Sequence, residues 1–318
     1  MKPIRDNSNK KAGFTIVELL TVMSIIVILI SLLMPALNRV RRYATRVKQK
    51  AQFHSIGVAL DLFNAENEGY PPSDRTDPTP VSYCGAMKLA EAMVGQDLMG
   101  FNLNSRFYRN GTSDGLTPTT TNSLYPVNPG TGDLTAYSTY VNSIKARKMY
   151  LDLEKANAYR LTDIYTSAHL ASTSYAGLTA TDCNLVLCDA YVRTMATGNK
   201  LGMPILYYKA DTNKNEHDAN LVTDCKTPTN NIYNRCDNQE LVDIPLPWVS
   251  PPSTVHPMAT TGITPTGAQA DPTIFYTETR NEKVTTGTKS HMADSYILMS
   301  AGFDGEYGTS DDIFNFGD

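Results

Sequence analysis

Residues 14–37, FTIVELLTVMSIIVILISLLMPAL, form an apolar run long enough to cross a bilayer core as an α-helix, which takes about 20 residues. A short leader carrying Lys2, Arg5, Lys10 and Lys11 precedes it. Secretory signal peptides and uncleaved anchors share this arrangement. One residue separates this chain from both: Glu18 stands five positions into the run. An ionisable group at that depth carries a large insertion penalty unless something pairs with it, so the sequence demands a partner for Glu18.

The stretch KAGFTIVELL resembles the processing site of type IV prepilins and pseudopilins, in which cleavage follows the glycine. The resemblance implies that Gly13 precedes the scissile bond, that Phe14 becomes the N-methylated first residue, and that Glu18 is the fifth residue of the mature chain. Pro35 also stands where many pilins carry proline. The resemblance supplies the missing partner too: cleavage creates an α-amine at Phe14, and Glu18 of one subunit is expected to meet that amine on a neighbour. An acid and an amine in low dielectric each relieve the other's desolvation, so assembly would select processed subunits. The partners implied are a prepilin peptidase that cleaves and methylates, other pilin-like subunits, and an inner-membrane assembly platform with a cytoplasmic ATPase.

Charge is distributed unevenly. Ten of the 28 Lys and Arg lie in the first 50 residues, whose only acids are Asp6 and Glu18, which leaves 18 bases against 30 acids in the remainder. A body this acidic repels phosphate backbones, and no basic patch with interleaved aromatics follows residue 50, which sets nucleic-acid binding aside. The leader bases favour a cytoplasmic N-terminus, but Arg39, Arg41, Arg42, Arg46, Lys48 and Lys50 follow the apolar run with no acid among them, so the positive-inside rule alone does not decide topology. The family resemblance implies an inner-membrane, single-pass chain whose C-terminal head lies in the periplasm. The basic cluster is either a solvated face near headgroups or a contact for acidic bodies of adjacent subunits.

Helical periodicity continues past the membrane segment, with Val47, Ala51, His54 and Val58 alternating with Ile56, Leu60 and Phe63. One helix of roughly 80 Å is expected over residues 14–68, locally weakened by Pro35 and ended by Gly69, Pro71 and Pro72. The exit, ALDLFNAENEGYPPS, is similar to that of the major type II secretion pseudopilin, where a Gly-Tyr-Pro turn opens the head. Further along, helices are expected near residues 86–99 and 144–159, a Thr-, Asn- and Pro-rich loop over 112–131, and strands at 204–210, 273–277 and 295–300. GMPILYYKA and SYILMSAGFDGEYGTSDDI resemble the sheet region of the same pseudopilin, although the Asp-Pro-Trp-Gly that usually precedes the first is reduced to LGMP. The fold class expected is α+β, a long N-terminal helix packed on a small antiparallel sheet with an inserted mixed region. Its parts are a leader at 1–13, an assembly helix at 14–37, an amphipathic continuation at 38–69, an insertion at 70–200, and the sheet with an acidic loop at 201–318.

Asp304, Glu306, Asp311 and Asp312 crowd a turn containing Gly302, Gly305 and Gly308. Such a turn is either solvated or closed around a hard cation such as Ca²⁺, and its spacing is not that of an EF-hand. Resemblance to the major pseudopilin implies Asp304, Asp311 and Asp312 as carboxylate ligands with a backbone carbonyl near Ala301. Among the five cysteines, Cys183–Cys188 and Cys225–Cys236 suit local disulfides in an oxidising compartment and leave Cys84 over, whereas their spacings are not those of a zinc site. His54, His169, His217, His256 and His291 enter no Ser-His-Asp or metal pattern, and no nucleophile-elbow or phosphate-loop motif occurs. The expectation is therefore a non-enzymatic filament subunit of a type II secretion pseudopilus or related filament; the alternative is a minor or tip subunit whose enlarged head binds a substrate, surface or partner.

Overall fold

The computed structural model describes residues 15–317 except 120, 127, 129–133, 179–183, 222–224, 226–228 and 285–286, and the chain divides into two compact units, 1–45 and 46–318. Helix α1, Ile16–Asn67, runs through Pro35 without a break in its assignment. In the first unit it is exposed from Ile16 to Ala44, as a segment awaiting lipid or other helices must be. Its hydroxyls are nonetheless satisfied: Thr21, Ser24 and Ser31 donate to the carbonyls of Val17, Leu20 and Ile28 at 3.0, 2.8 and 2.8 Å. Returning a hydroxyl to its own helix is what makes Ser and Thr tolerable in an apolar span.

In the second unit the same helix has two apolar faces, not one. Gln49, Phe53, Ile56, Ala59, Leu60 and Phe63 are buried, following three- and four-residue steps. Val47 and Val58, which continue the periodic pattern, project outward at 50% and 57% exposure, with Leu62 on the same side at 44%. Phe63 meets Phe101 and Tyr150 edge-on, with ring centroids 5.1 and 5.2 Å apart. Gln49 accepts the Ala190 N–H at 2.7 Å, and Gln52 donates to the Cys188 carbonyl at 2.9 Å, so polar side chains stitch the helix to the following segment. The exit turns at Glu68, which takes a left-handed φ of 55°, and Tyr207 donates to the Pro71 carbonyl at 2.8 Å.

The sheet elements are short and antiparallel. β1 (Ala158–Arg160) pairs with β2 (Leu185–Leu187), β3 (Arg193–Thr194) with β4 (Lys200–Leu201), and β5 (Leu206–Lys209) with β6 (Tyr296–Ser300), which in turn holds β7 (Ile313–Phe314). In the larger sheet Tyr207 lies opposite Leu298 and Met299 opposite Phe314. β5 and β6 coincide with the expected strands at 204–210 and 295–300. Seven further helices are short: α2 (Gly85–Val94), α3 (Leu134–Lys145), α4 (Leu153–Ala156), α5 (Leu161–Ile164), α6 (Ser167–Leu170), α7 (Cys236–Val242) and α8 (Ile274–Glu278).

Segment 70–200 does not stand apart from the sheet. α2, rich in the helix formers Ala, Leu and Met, is buried along its whole length against β2 and β5. Its two charges are compensated inside: Lys88 Nζ donates to the Asp74 carboxylate and to the carbonyls of Asp74 and Thr76 at 2.9, 2.7 and 2.8 Å. Glu91 accepts from Tyr83, Gln96, Ser105 and Tyr125. A Cβ on Gly85 would lie 2.3 Å from the Tyr207 carbonyl, so only glycine permits this approach. Asn238 of α7 seals the same edge of the sheet, accepting the Ala86 N–H at 2.8 Å and donating to the Tyr207 carbonyl at 2.7 Å.

Three expectations are corrected. Residues 273–277 form α8 rather than a strand, because Asp271 accepts the backbone N–H and hydroxyl of Thr273 at 2.9 and 2.7 Å and Pro272 pre-sets the first turn. Residues 144–159 are not one helix: α3 ends at Lys145, and α4 stops where Asn157 adopts a left-handed conformation and ties its amide to the carbonyls of Cys188 and Asp189. Cys225–Cys236 is bridged, but Cys188 is a free buried thiol at the end of β2, like Cys84. The expected Cys183–Cys188 bridge is therefore not made; Cys183 lies outside the described residues. Burial raises the Cys188 thiol far above its ordinary pKa, leaving it a small hydrophobe.

Ser73, just past the helix exit, donates to the buried Asp237 carboxyl and accepts the Lys209 N–H at 3.0 Å. Burial pushes Asp237 up to about 8, against the Ser73 hydrogen bond. An unfolded Asp titrates near ~3.9, so the folded state holds a proton that the unfolded state releases. The penalty from Asp237 is absent below that pH, grows as pH rises and is complete above about 8. Asp237→Asn is expected to flatten this part of the stability–pH curve, measured by denaturant unfolding across the interval; a mutant curve parallel to wild type would contradict it.

Candidate functional site

Two acidic places bear on function, one in each unit. At the start of α1, Thr15 and Glu18 form a reciprocal cap. The Thr15 N–H and hydroxyl donate to Glu18 Oε2 at 2.9 and 2.8 Å, and the Glu18 N–H donates to Thr15 Oγ1 at 3.2 Å. This is the Thr-x-x-Glu capping box, a signal present in the sequence as TIVE. Thr15 is the residue that motif reasoning about Glu18 overlooked. The cap fixes where the helix begins and occupies one carboxylate oxygen, while Oε1 accepts no hydrogen bond among the described residues and stays open to a cation. Gly13 and Phe14 lie outside the described residues.

The acidic turn follows β6. A Cβ on Gly302 would come within 2.2 Å of the Asp311 carbonyl, so glycine with φ +63° lets the two limbs of the turn meet. Asp304 and Asp311 are brought together: Asp311 Oδ2 accepts the Asp304 N–H at 3.0 Å, and Asp311 Oδ1 accepts the Thr309 hydroxyl at 2.6 Å. Asp312 points elsewhere. Its Oδ2 accepts the N–H groups of Gly308 and Thr309 at 2.7 and 3.0 Å, while its buried Oδ1, like Oε2 of the neighbouring Glu278 from α8, makes no hydrogen bond among the described residues. Glu278, 34 positions away in sequence, carries no local signal that could have announced it.

Burial and neighbouring like charges set the electrostatics of the turn. Burial, with the Asp311 charge added and the Glu306 N–H opposing, pushes Asp304 up to about 6. Asp311, although burial opposes its ionisation, is held below the usual range by the Thr309 hydroxyl and the Asp304 N–H. Burial and the Asp304 charge push Glu306 to about 7, and burial brings Glu278 to about 7. Burial and then Glu278 hold Asp312 well above its ordinary value. Ala301 is buried beside the turn. Among the described residues no three His, Cys, Asp or Glu side chains converge on one metal-sized point.

The histidines are dispersed. His169 bonds Thr166 and the Val249 carbonyl at 2.7 and 2.9 Å, His217 bonds Thr279 at 2.9 Å, and His256 accepts the Tyr307 N–H at 3.2 Å. Burial depresses His217 to about 4 and His256 to about 3, keeping both neutral. His291 stacks on Phe316 with centroids 4.3 Å apart, and His54 lies exposed on α1.

Residues 8–34 match the family model described as the prokaryotic N-terminal methylation motif. No curated protein and no solved structure matches the chain. The motif, together with the long apolar helix that follows it, fits a type IV prepilin-like protein anchored in a membrane.

Proposed function

We propose that this type IV prepilin-like chain is a structural subunit of a periplasmic type II secretion pseudopilus or related filament, cleaved after Gly13 and methylated at Phe14 by prepilin peptidase. The observation that carries this reading is the methylation motif running into an apolar stretch, residues 14–37, whose one acid is Glu18, with Oε1 accepting no hydrogen bond among the described residues. After cleavage, the α-amine of a neighbouring subunit is the cation that Glu18 would take up. The pairing of β5 with β6 joins the two segments that resemble the major pseudopilin, which supports the secretion-system reading over a pilus. The Cys225–Cys236 bridge suits an oxidising periplasm for the head, with the anchor in the inner membrane. An assembly platform with its cytoplasmic ATPase and other pilin-like subunits complete the partners. The dispersal of the histidines supports a role without catalysis of its own.

The outward stripe of Val47, Val58 and Leu62 supports assembly, because an apolar face opposite the buried one calls for a second helix. Val58→Glu is expected to remove the protein from the sheared, pelletable filament fraction while leaving the unfolding of the head unchanged. Ile56→Ala, on the buried face, is expected instead to cost the head about 2–5 kcal/mol. Normal filament yield with Val58→Glu would contradict the reading.

We also propose that the acidic turn takes Ca²⁺ through Asp304, Asp311 and the Ala301 carbonyl, with Asp312 closing the turn around the site. The supporting feature is the turn that brings the Asp304 and Asp311 carboxyls together beside Ala301, where a divalent cation would relieve their mutual repulsion. Calcium is expected to raise the melting temperature above neutral pH, EDTA to reverse the rise, and Asp304→Ala to abolish it. An unchanged melting curve would exclude the calcium site.

A further inference from the structure

The apolar run ends at Leu37, and Arg39, Arg41 and Arg42 follow it within five residues, just ahead of Tyr43. All three arginines are exposed, on α1 and in the same unit as the apolar run. A helical ion pair reaches three or four residues along the chain, and no Asp or Glu occurs between Glu18 and Asp61, so α1 offers these arginines no carboxylate. The counter-charge has to come from outside the helix.

Position and arrangement narrow its source. At 1.5 Å per residue the three arginines lie roughly 3 to 7.5 Å beyond Leu37 along the helix, within the ~5–7.5 Å depth of one headgroup layer. At about 100° per residue Arg39 and Arg41 project on nearly opposite sides of α1, with Arg42 between them. A protein partner meets a helix from one side, whereas headgroups surround it. Tyr43, exposed in the following position, adds an amphipathic ring of the kind that settles at this depth. Guanidinium forks bond phosphate oxygens bidentately, and a zwitterionic headgroup brings its own ammonium to compete for the phosphate, while an anionic one does not. We infer that Arg39, Arg41 and Arg42 form a collar that binds anionic phospholipid headgroups at the end of the membrane span. The collar rests on the membrane anchor and not on filament assembly, so a subunit that never polymerises still carries it.

The test is native mass spectrometry of the full-length chain in a neutral detergent with equimolar palmitoyl-oleoyl phosphatidylglycerol and phosphatidylcholine. Retention of phosphatidylglycerol in excess over phosphatidylcholine is expected, and the triple variant Arg39→Gln, Arg41→Gln, Arg42→Gln is expected to cut that excess about tenfold. The leader bases are unchanged in this variant, so the binding it loses belongs to the collar, and its three positions lie outside unit 46–318, so the folding of the head is not at stake. Excess glycerol phosphate is expected to leave the bound lipid in place. Equal retention of the two lipids, a triple variant that keeps the wild-type excess, or displacement by glycerol phosphate would each overturn the assignment. A triple variant that keeps its lipid but loses dimers present in the wild-type spectrum would give the arginines to a second copy of the chain instead.

Discussion

Taking the Glu18 carboxylate into hydrocarbon is costly unless hydrogen bonds or a cation meet its charge, and the N-terminal unit is organised around that requirement. Thr15 meets part of it from within the chain, through the two donors it aims at Oε2. The remaining oxygen is open, so the carboxylate is both oriented by the helix start and incompletely satisfied. On the proposed reading, such a residue would select for a positively charged neighbour, and cleavage after Gly13 would supply one as the α-amine of Phe14. The cap and the processing motif therefore act on the same few residues.

The head follows from a second constraint, that one helix face is used for folding while the opposite face stays apolar. Phe53, Ile56, Leu60 and Phe63 satisfy the first demand by packing against Phe101, Tyr150 and the segment at 188–190. α2 then joins the sheet to segment 70–200, with Gly85 and Asn238 allowing backbone and side-chain amide to close on Tyr207. The enlarged head is consequently one packed unit.

Local signals in the sequence were reliable where the physics is local. The apolar run, the Gly-Tyr-Pro exit and the β-rich segments at 204–210 and 295–300 all found their elements. α8 was misread because Ile274, Phe275 and Tyr276 favour strands, while the Asp271–Pro272 helix start outweighed them. The two apolar faces of helix α1 interleave in sequence and separate only in space. What no pattern could reveal are contacts between distant positions: Asn238 on Ala86, Glu278 on Asp312, and the burial that leaves Cys188 unbridged. The capping box was legible as TIVE, masked by attention to Glu18 as an isolated charge.

Intact-mass analysis and N-terminal sequencing of the protein from its native membrane test the central claim most directly. The account predicts a mature chain that begins with N-methylated Phe14, and its loss when Gly13 is replaced by a bulkier residue. A chain that retains its leader, or that is cut beyond Leu33, would mean a plain anchor or secretory signal and would contradict the filament reading.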